Sequence, residues 1–253
     1  MRRRKIFQKE RVARYDYLVS KEQPLSYVAE AFQKALVNIE YANIDGKYKV
    51  LQFTSSLAGA GKTTFISNIA YLLGKKGKKV IIVDLDLRKP KINRILNAPN
   101  EKGLTEYLTG KIEYKELIKY SKELNTSFIV SGERTTAVVN VLEANKLKDL
   151  IIRLREEFDY VILDSPPVIA VSDALYIAKL ADTVIFVVAQ NEAKRAVINE
   201  AINTLKQNKV HILGTVFTQV DTNDTDVYSY SYGYGYVASR NDYLVKPKNT
   251  DKE

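Results

Sequence analysis

The segment Ser56-Leu-Ala-Gly-Ala-Gly-Lys-Thr-Thr64 follows one apolar run and opens another pattern with helical spacing. Gly59 and Gly61 permit a tight loop whose backbone N–H groups converge on an anion. A helix starting at Lys62 aims its unpaired N–H groups and the positive end of its dipole at the same point. Lys62 then reaches terminal phosphates, and the Thr63 hydroxyl suits Mg²⁺. Ser56 stands where the general phosphate-loop pattern has its first glycine. Two carboxylate groups complete the chemistry. The run Val80–Val83 ends in Asp84-Leu-Asp86-Leu-Arg88-Lys89-Pro90, and Tyr160–Leu163 ends in Asp164-Ser-Pro-Pro167. Mg²⁺ takes oxygen ligands, commonly one or two carboxylates with phosphate and water. An isolated Asp at a strand end is more commonly a cap or turn residue. Three acids on two strand ends beside a phosphate loop favour the metal reading.

These groups need a scaffold that brings separate strand ends together. Short apolar runs at Val50–Thr54, Val80–Val83, Phe128–Val130, Tyr160–Leu163, Val184–Val188 and Ile212–Phe217 read as strands. Helical patterns separate most of them, clearest at Leu147–Phe158, Ala174–Leu180 and Ala193–Gln207. Strands that are apolar on both faces and alternate with helices predict an α/β fold. It is a P-loop NTPase-type parallel sheet with helices on both faces. Ligands of such sheets bind beyond the carboxyl ends of the strands, where all three acids fall. Before the first strand, Leu25, Val28, Ala29, Phe32, Leu36 and Ile39 follow helical spacing, predicting one amphipathic helix to about Tyr41.

The 253 residues carry 39 Lys plus Arg against 30 Asp plus Glu, a net +9, with 45% apolar residues, one His and no Cys. The apolar content excludes a wholly disordered chain. The absence of Cys excludes disulfides, a thiolate nucleophile and a Cys-ligated zinc site. No run of apolar residues is long enough for a membrane-spanning helix. The basic N-terminus lacks the apolar stretch of a secretory signal, so a cytoplasmic location is expected. The charge is unevenly spread. Seven basic residues against Glu10 give residues 1–14 a net +6, and four basic against six acidic residues give 221–253 a net −2. The remaining body is only mildly basic, so no nucleic-acid partner is expected. Three regions follow: a basic arm over 1–23, a P-loop domain over 24–220, and a tail over 221–253. The tail holds Tyr228, Tyr230, Tyr232, Tyr234, Tyr236 and Tyr243, most of them alternating with small residues.

The phosphate loop, the run Val83-Asp-Leu-Asp-Leu-Arg-Lys-Pro90 and Phe158-Asp-Tyr-Val-Ile-Leu-Asp-Ser-Pro-Pro-Val168 together resemble the bacterial tyrosine kinase family of capsule and exopolysaccharide synthesis. Gly103-Leu-Thr-Glu-Tyr-Leu-Thr-Gly110, Val171-Ser-Asp-Ala174 and Leu213-Gly-Thr-Val216 resemble further stretches of it. The resemblance covers about residues 24–221. It implies ATP- and Mg²⁺-dependent phosphorylation of protein tyrosines, with Tyr228, Tyr230, Tyr232, Tyr234, Tyr236 and Tyr243 as acceptors on a neighbouring copy. ATP is then held by Gly59, Ala60, Gly61, Lys62, Thr63 and Thr64. Asp84 activates the acceptor, while Thr63, Asp86 and Asp164 hold or orient the metal. It also implies a membrane-embedded polysaccharide co-polymerase as activating partner, whose cytoplasmic segment completes the site. The kinase would then sit peripherally at the inner membrane face. The arm suits an anionic lipid surface, each basic residue adding about 1 kcal/mol of attraction.

Some positions depart from the family pattern. Glu30 is kept, but Gln33 and Leu36 replace the two arginines that join subunits into a ring, so self-association is implied without its bidentate pairs. Gln190 and Thr218 stand where an Arg and an Asn near the base are common. Two alternatives fit the same residues. One is a nucleotide-regulated scaffold without kinase activity. The other is a partition or septum-positioning ATPase, against which Leu57 stands in place of that group's signature lysine.

Overall fold

The computed structural model describes residues 18–190 and 193–220. In chain order it runs α1 (Val19–Glu22), α2 (Tyr27–Ala42), β1 (Val50–Ser55), α3 (Lys62–Lys75), β2 (Val80–Asp84), α4 (Ile92–Ile95), α5 (Leu104–Leu108), α6 (Tyr114–Leu117), β3 (Lys119–Ser121), β4 (Thr126–Ile129), α7 (Val138–Glu143), α8 (Asn145–Glu157), β5 (Tyr160–Asp164), α9 (Asp173–Ala178), β6 (Thr183–Ala189), α10 (Arg195–Gln207) and β7 (Ile212–Thr218). The strands form one seven-stranded sheet in the order β3-β4-β2-β5-β1-β6-β7. Every neighbouring pair is parallel except β3 with β4. The predicted α/β sheet is therefore present, with one short antiparallel edge added.

Burial on both sides of the sheet follows from the two-residue period of a strand. On β2, Val80 and Ile82 enter the core beneath α3, whereas Ile81 and Val83 enter the one beneath α5 and α8. On β6, Ile185 and Val187 join the first core, and Val184, Phe186 and Val188 pack instead with Ala201 and Leu205 of α10. A strand flanked by helices on both faces has no polar face to present, which is why these segments read as unbroken apolar runs.

Four expectations need correction. The predicted first helix starts two residues late, at Tyr27, because Ser26 caps it by accepting from the Ala29 N–H at 3.1 Å. Its apolar set is not one buried face: Leu25 precedes the helix at 82% exposed and Val28 is 46% exposed, while Ala29, Leu36 and Ile39 are buried. The arm does not extend to residue 23. Leu18 and Ser20 are buried, and the Ser20 N–H donates to Asn68 Oδ1 at 2.9 Å, which fastens α1 to α3. Finally, β7 is an edge strand with Phe217 67% exposed, so its apolar run is covered on one side only. The short elements α4 to α7 and β3 span three to six residues each, too few for any periodic signal. The tyrosine cluster from Tyr228 to Tyr243 and arm residues 1–17 lie outside the described residues.

Candidate active site

The phosphate loop leaves β1 at Ser55, between the ends of β5 and β6, and returns into α3 at Lys62. Gly59 and Gly61 have φ of 92° and 74°, left-handed values that a side chain would resist. Gly61 is the residue before the first turn of α3 and brings no capping side chain. The first-turn N–H groups are thus left to an anion. Lys62 is buried, and its Nζ donates to Ser55 Oγ at 3.0 Å, while Ser55 Oγ itself donates to the Leu57 carbonyl at 2.7 Å. Burial lowers the Lys62 pKa against the opposing pull of Asp164, with Lys91 adding a further downward push.

The acids meet through strand register. β2 and β5 pair so that Asp84 lies directly opposite Asp164. Asp164 Oδ2 accepts the Thr63 hydroxyl at 2.8 Å, joining the start of α3 to the end of β5. Burial pushes the Asp164 carboxyl up to about 6, although Lys62 and the Thr63 hydroxyl pull it down. Asp84 is fully buried and raised well above the ordinary carboxylate range, first by burial and then by the charge of Asp164. Its Oδ2 accepts the N–H groups of Lys91 and Ile92, each at 3.0 Å, and its Oδ1 that of Asp86 at 3.2 Å. Asp84 therefore organises the segment that follows it, a role its place in the motif did not reveal. Asp86 accepts the Lys89 N–H at 3.0 Å and is raised by burial, against the opposing pull of that N–H, of Lys62 and of Lys91.

Further residues position this segment and were not singled out as site residues. Arg88 makes a fork with the buried Asp173, Nε to Oδ2 at 2.7 Å and Nη2 to Oδ1 at 3.0 Å. The signal was present in the motifs, since Arg88 belongs to the Asp84–Pro90 run and Asp173 to Val171–Ala174. Glu106 explains the Gly103–Gly110 stretch. It accepts the Gly103 N–H at 2.7 Å, the Thr105 hydroxyl at 2.8 Å and the Glu133 N–H at 3.0 Å. Burial pushes Glu106 up, but these donors outweigh it and hold the carboxyl below its ordinary value. The loop after β4 is fixed by this knot. A Cβ on Gly132 would stand 2.2 Å from Glu106 Oε2, and the φ of 86° there also demands glycine.

The residues fit a magnesium nucleotide. Gly59 and Gly61 shape the anion loop, Lys62 supplies buried positive charge, and the Thr63 hydroxyl is already held by Asp164. Among the described residues no group of three or more acidic or histidine side chains forms a ready-made metal cage. That suits Mg²⁺, which keeps waters and takes phosphate oxygens beside one or two protein ligands. Leu36 is 1% exposed within the first core, so this position of α2 faces inward and presents no guanidinium for a subunit contact. Among the described residues no helix is long and apolar enough to cross a membrane.

Known proteins match this arrangement over most of the chain. A family model described as an AAA domain matches residues 48–214. The Tyrosine-protein kinase CpsD of Streptococcus pneumoniae is 34% identical over 76% of this chain and 85% of its own length. The Tyrosine-protein kinase YwqD of Bacillus subtilis is 29% identical over 79% of this chain and 84% of its own. In structure, the kinase domain of the Escherichia coli tyrosine kinase ETK superimposes with a TM-score of 0.78 at 25% identity. That match covers 93% of this chain and 88% of the domain. The full Escherichia coli etk kinase is longer, and this chain spans 29% of it.

Proposed function

Since the chain belongs to the bacterial tyrosine-protein kinase family, we propose that it transfers the terminal phosphoryl group of Mg·ATP to protein tyrosines, first among them its own C-terminal cluster. The observation that carries this reading is the meeting of Lys62, Thr63, Asp84 and Asp164 at one end of three adjacent strands. Bound Mg²⁺ neutralises charge on the phosphates and the transferring group. Gly59, Ala60, Gly61 and Thr64 wrap the phosphates, and Lys62 balances their charge from a dry position. Thr63, Asp86 and Asp164 hold or orient the metal. Asp84 is the carboxylate to which the family pattern gives the acceptor's proton, and burial beside Asp164 raises its affinity for that proton. A tyrosine with an ordinary pKa near 10 needs such a base during attack.

The acceptors are Tyr228, Tyr230, Tyr232, Tyr234, Tyr236 and Tyr243 of a neighbouring copy. Each phosphate adds about −1.5 to −2 charge, so modification of all six tyrosines offsets the positive excess of the chain and loosens its contacts. The activating partner is the cytoplasmic segment of a membrane protein of capsule or exopolysaccharide synthesis, with the basic arm drawn to anionic lipid beside it. Self-association for transfer between copies proceeds without an arginine-based ring, given Gln33 and Leu36. The deciding experiment is mass spectrometry of the full chain after incubation with Mg·ATP, with and without that segment. Phosphate on Tyr228–Tyr243 is expected. Nucleotide binding without phosphotyrosine in either condition overturns the kinase reading in favour of a scaffold.

A second expectation concerns the Arg88–Asp173 fork. Asp173→Asn keeps the shape of the side chain but removes the charge that holds Arg88, so the Asp84–Pro90 segment loses an anchor. Activity falls by about 10–100-fold, the usual range for partners that orient metal-binding groups. Steady-state phosphorylation rates check this, and an unchanged rate would remove Asp173 from the positioning of the site.

A further inference from the structure

The end of β7 is tied to the phosphate loop by two side chains that the catalytic reading does not use. Thr218 Oγ1 donates to the Ala60 carbonyl at 2.7 Å, and Gln219 Nε2 donates to the Gly59 carbonyl at 2.6 Å. Thr218 is itself held in the sheet, paired with Ala189, its carbonyl accepting the Gln190 N–H at 3.0 Å. A Cβ built on Gly61 would lie 3.6 Å from Thr218 Oγ1, so the hydroxyl packs directly on the turn that opens α3. Gln219 holds a left-handed backbone, φ 55°, which is uncommon for a residue with a side chain.

We propose that Thr218 and Gln219 are positioning residues for the nucleotide phosphates, acting through the two peptide groups Gly59–Ala60 and Ala60–Gly61. In a planar trans peptide the carbonyl and the N–H point in opposite directions. Holding the Gly59 and Ala60 carbonyls toward β7 turns the Ala60 and Gly61 N–H groups away from it. In the sheet order β5-β1-β6-β7 that direction leads toward β5 and Asp164, the side where the acids stand. The clamp thus sets donor direction in a loop that its glycines would otherwise leave free. Glycine supplies the conformation and β7 selects it. Thr218 stands where an Asn near the base is common in the family, and its hydroxyl is turned instead to the phosphate loop.

The inference rests on the nucleotide reading above, and a base-free ligand separates the two. Calorimetric titrations of the full chain with Mg·ATP and with Mg·tripolyphosphate compare the wild type with Thr218→Val, Thr218→Ser and Gln219→Met. Valine keeps the shape of threonine and removes the donor. Both ligands are expected to bind Thr218→Val about tenfold more weakly, as for a lost hydrogen bond of ordinary strength, with Gln219→Met following in the same direction. Thr218→Ser restores the wild-type affinity for both. A Thr218→Val protein with a lowered melting temperature passes the decision to Gln219→Met. Wild-type binding retained by Thr218→Val and Gln219→Met overturns the clamp alone. Weaker Mg·ATP binding with unchanged Mg·tripolyphosphate binding also overturns it, since that pattern means a contact to the base. Failure of the wild type to bind either ligand overturns the nucleotide reading and the clamp with it.

Discussion

Lys62→Met lowers phosphotyrosine formation by about 10²–10³-fold, the cost of removing one preorganised charge from a phosphoryl or acyl transfer site, while the nucleotide-free protein becomes more stable at pH 6. The two effects have one cause. Lys62 is buried, and burial lowers its pKa, so the folded state holds an ammonium group that would be better solvated in the unfolded chain. Methionine fills similar volume without that charge. The opposing cost is Asp164, which loses an attractive neighbour. No ion pair joins the two among the described residues, Lys62 Nζ instead meeting Ser55 Oγ. At pH 6 Asp164 stands near its own pKa of about 6 and takes up a proton at little cost. The gain from removing the buried ammonium therefore prevails. Thermal melts at pH 6, with kinase assays in the presence of the activating segment, check both halves. A lower melting temperature would show that Lys62 stabilises the empty loop; unchanged phosphorylation would remove it from catalysis.

Acidification should pull the empty and the nucleotide-bound protein in opposite directions. Asp164 titrates at about 6 in the folded protein against an ordinary 3.8. A raised pKa means that the folded state binds the proton more tightly. The stability this group contributes is fully present below 3.8 and is lost as pH rises through about 6. Between pH 7.5 and 5.5 the nucleotide-free protein gains about 1 kcal/mol from Asp164 alone. Asp84, raised well above its ordinary range, adds to this with the same sign. A site that binds Mg²⁺ needs its carboxylates charged. Below pH 6, Mg·ATP affinity thus falls by about tenfold per pH unit for each carboxylate that must release a proton. Melting curves from pH 7.5 to 5.5, with and without Mg·ATP, display the two slopes. Asp164→Asn should flatten the first of them. A nucleotide-free protein whose stability falls over that interval contradicts the assignment.

Much of the site was legible because its chemistry is written in local order. Gly59, Gly61, Lys62 and Thr63 lie within five residues, and loop geometry follows from glycine placement and the helix start alone. The inner strands β2, β5 and β6 were equally visible, since burial on both faces leaves mostly apolar residues to read. The apolar face of α2 reads too wide in the sequence: Ala29, Leu36 and Ile39 are buried, but Leu25 and Val28 are not. Helical spacing fits Leu25 and Val28 as well as Ala29 and Ile39, and nothing in the spacing says which side the core will take.

By itself, then, the amino-acid order determined the fold class, the phosphate loop and the identity of the acids, because each depends on neighbours a few residues away. Only the tertiary structure decided what those acids do. Asp84 and Asp164 are 80 residues apart, and parallel register sets them side by side in a buried place; burial raises both, and the charge of Asp164 raises Asp84 further. The same folding turns Asp84 inward onto the N–H groups of Lys91 and Ile92, seats Arg88 on Asp173, and brings Thr218 and Gln219 onto carbonyls some 160 residues away. The physical reason is that charge, desolvation and hydrogen-bond direction depend on distance in space. A sequence states which groups are present; the packing of β1, β2, β5 and β7 states which of them meet.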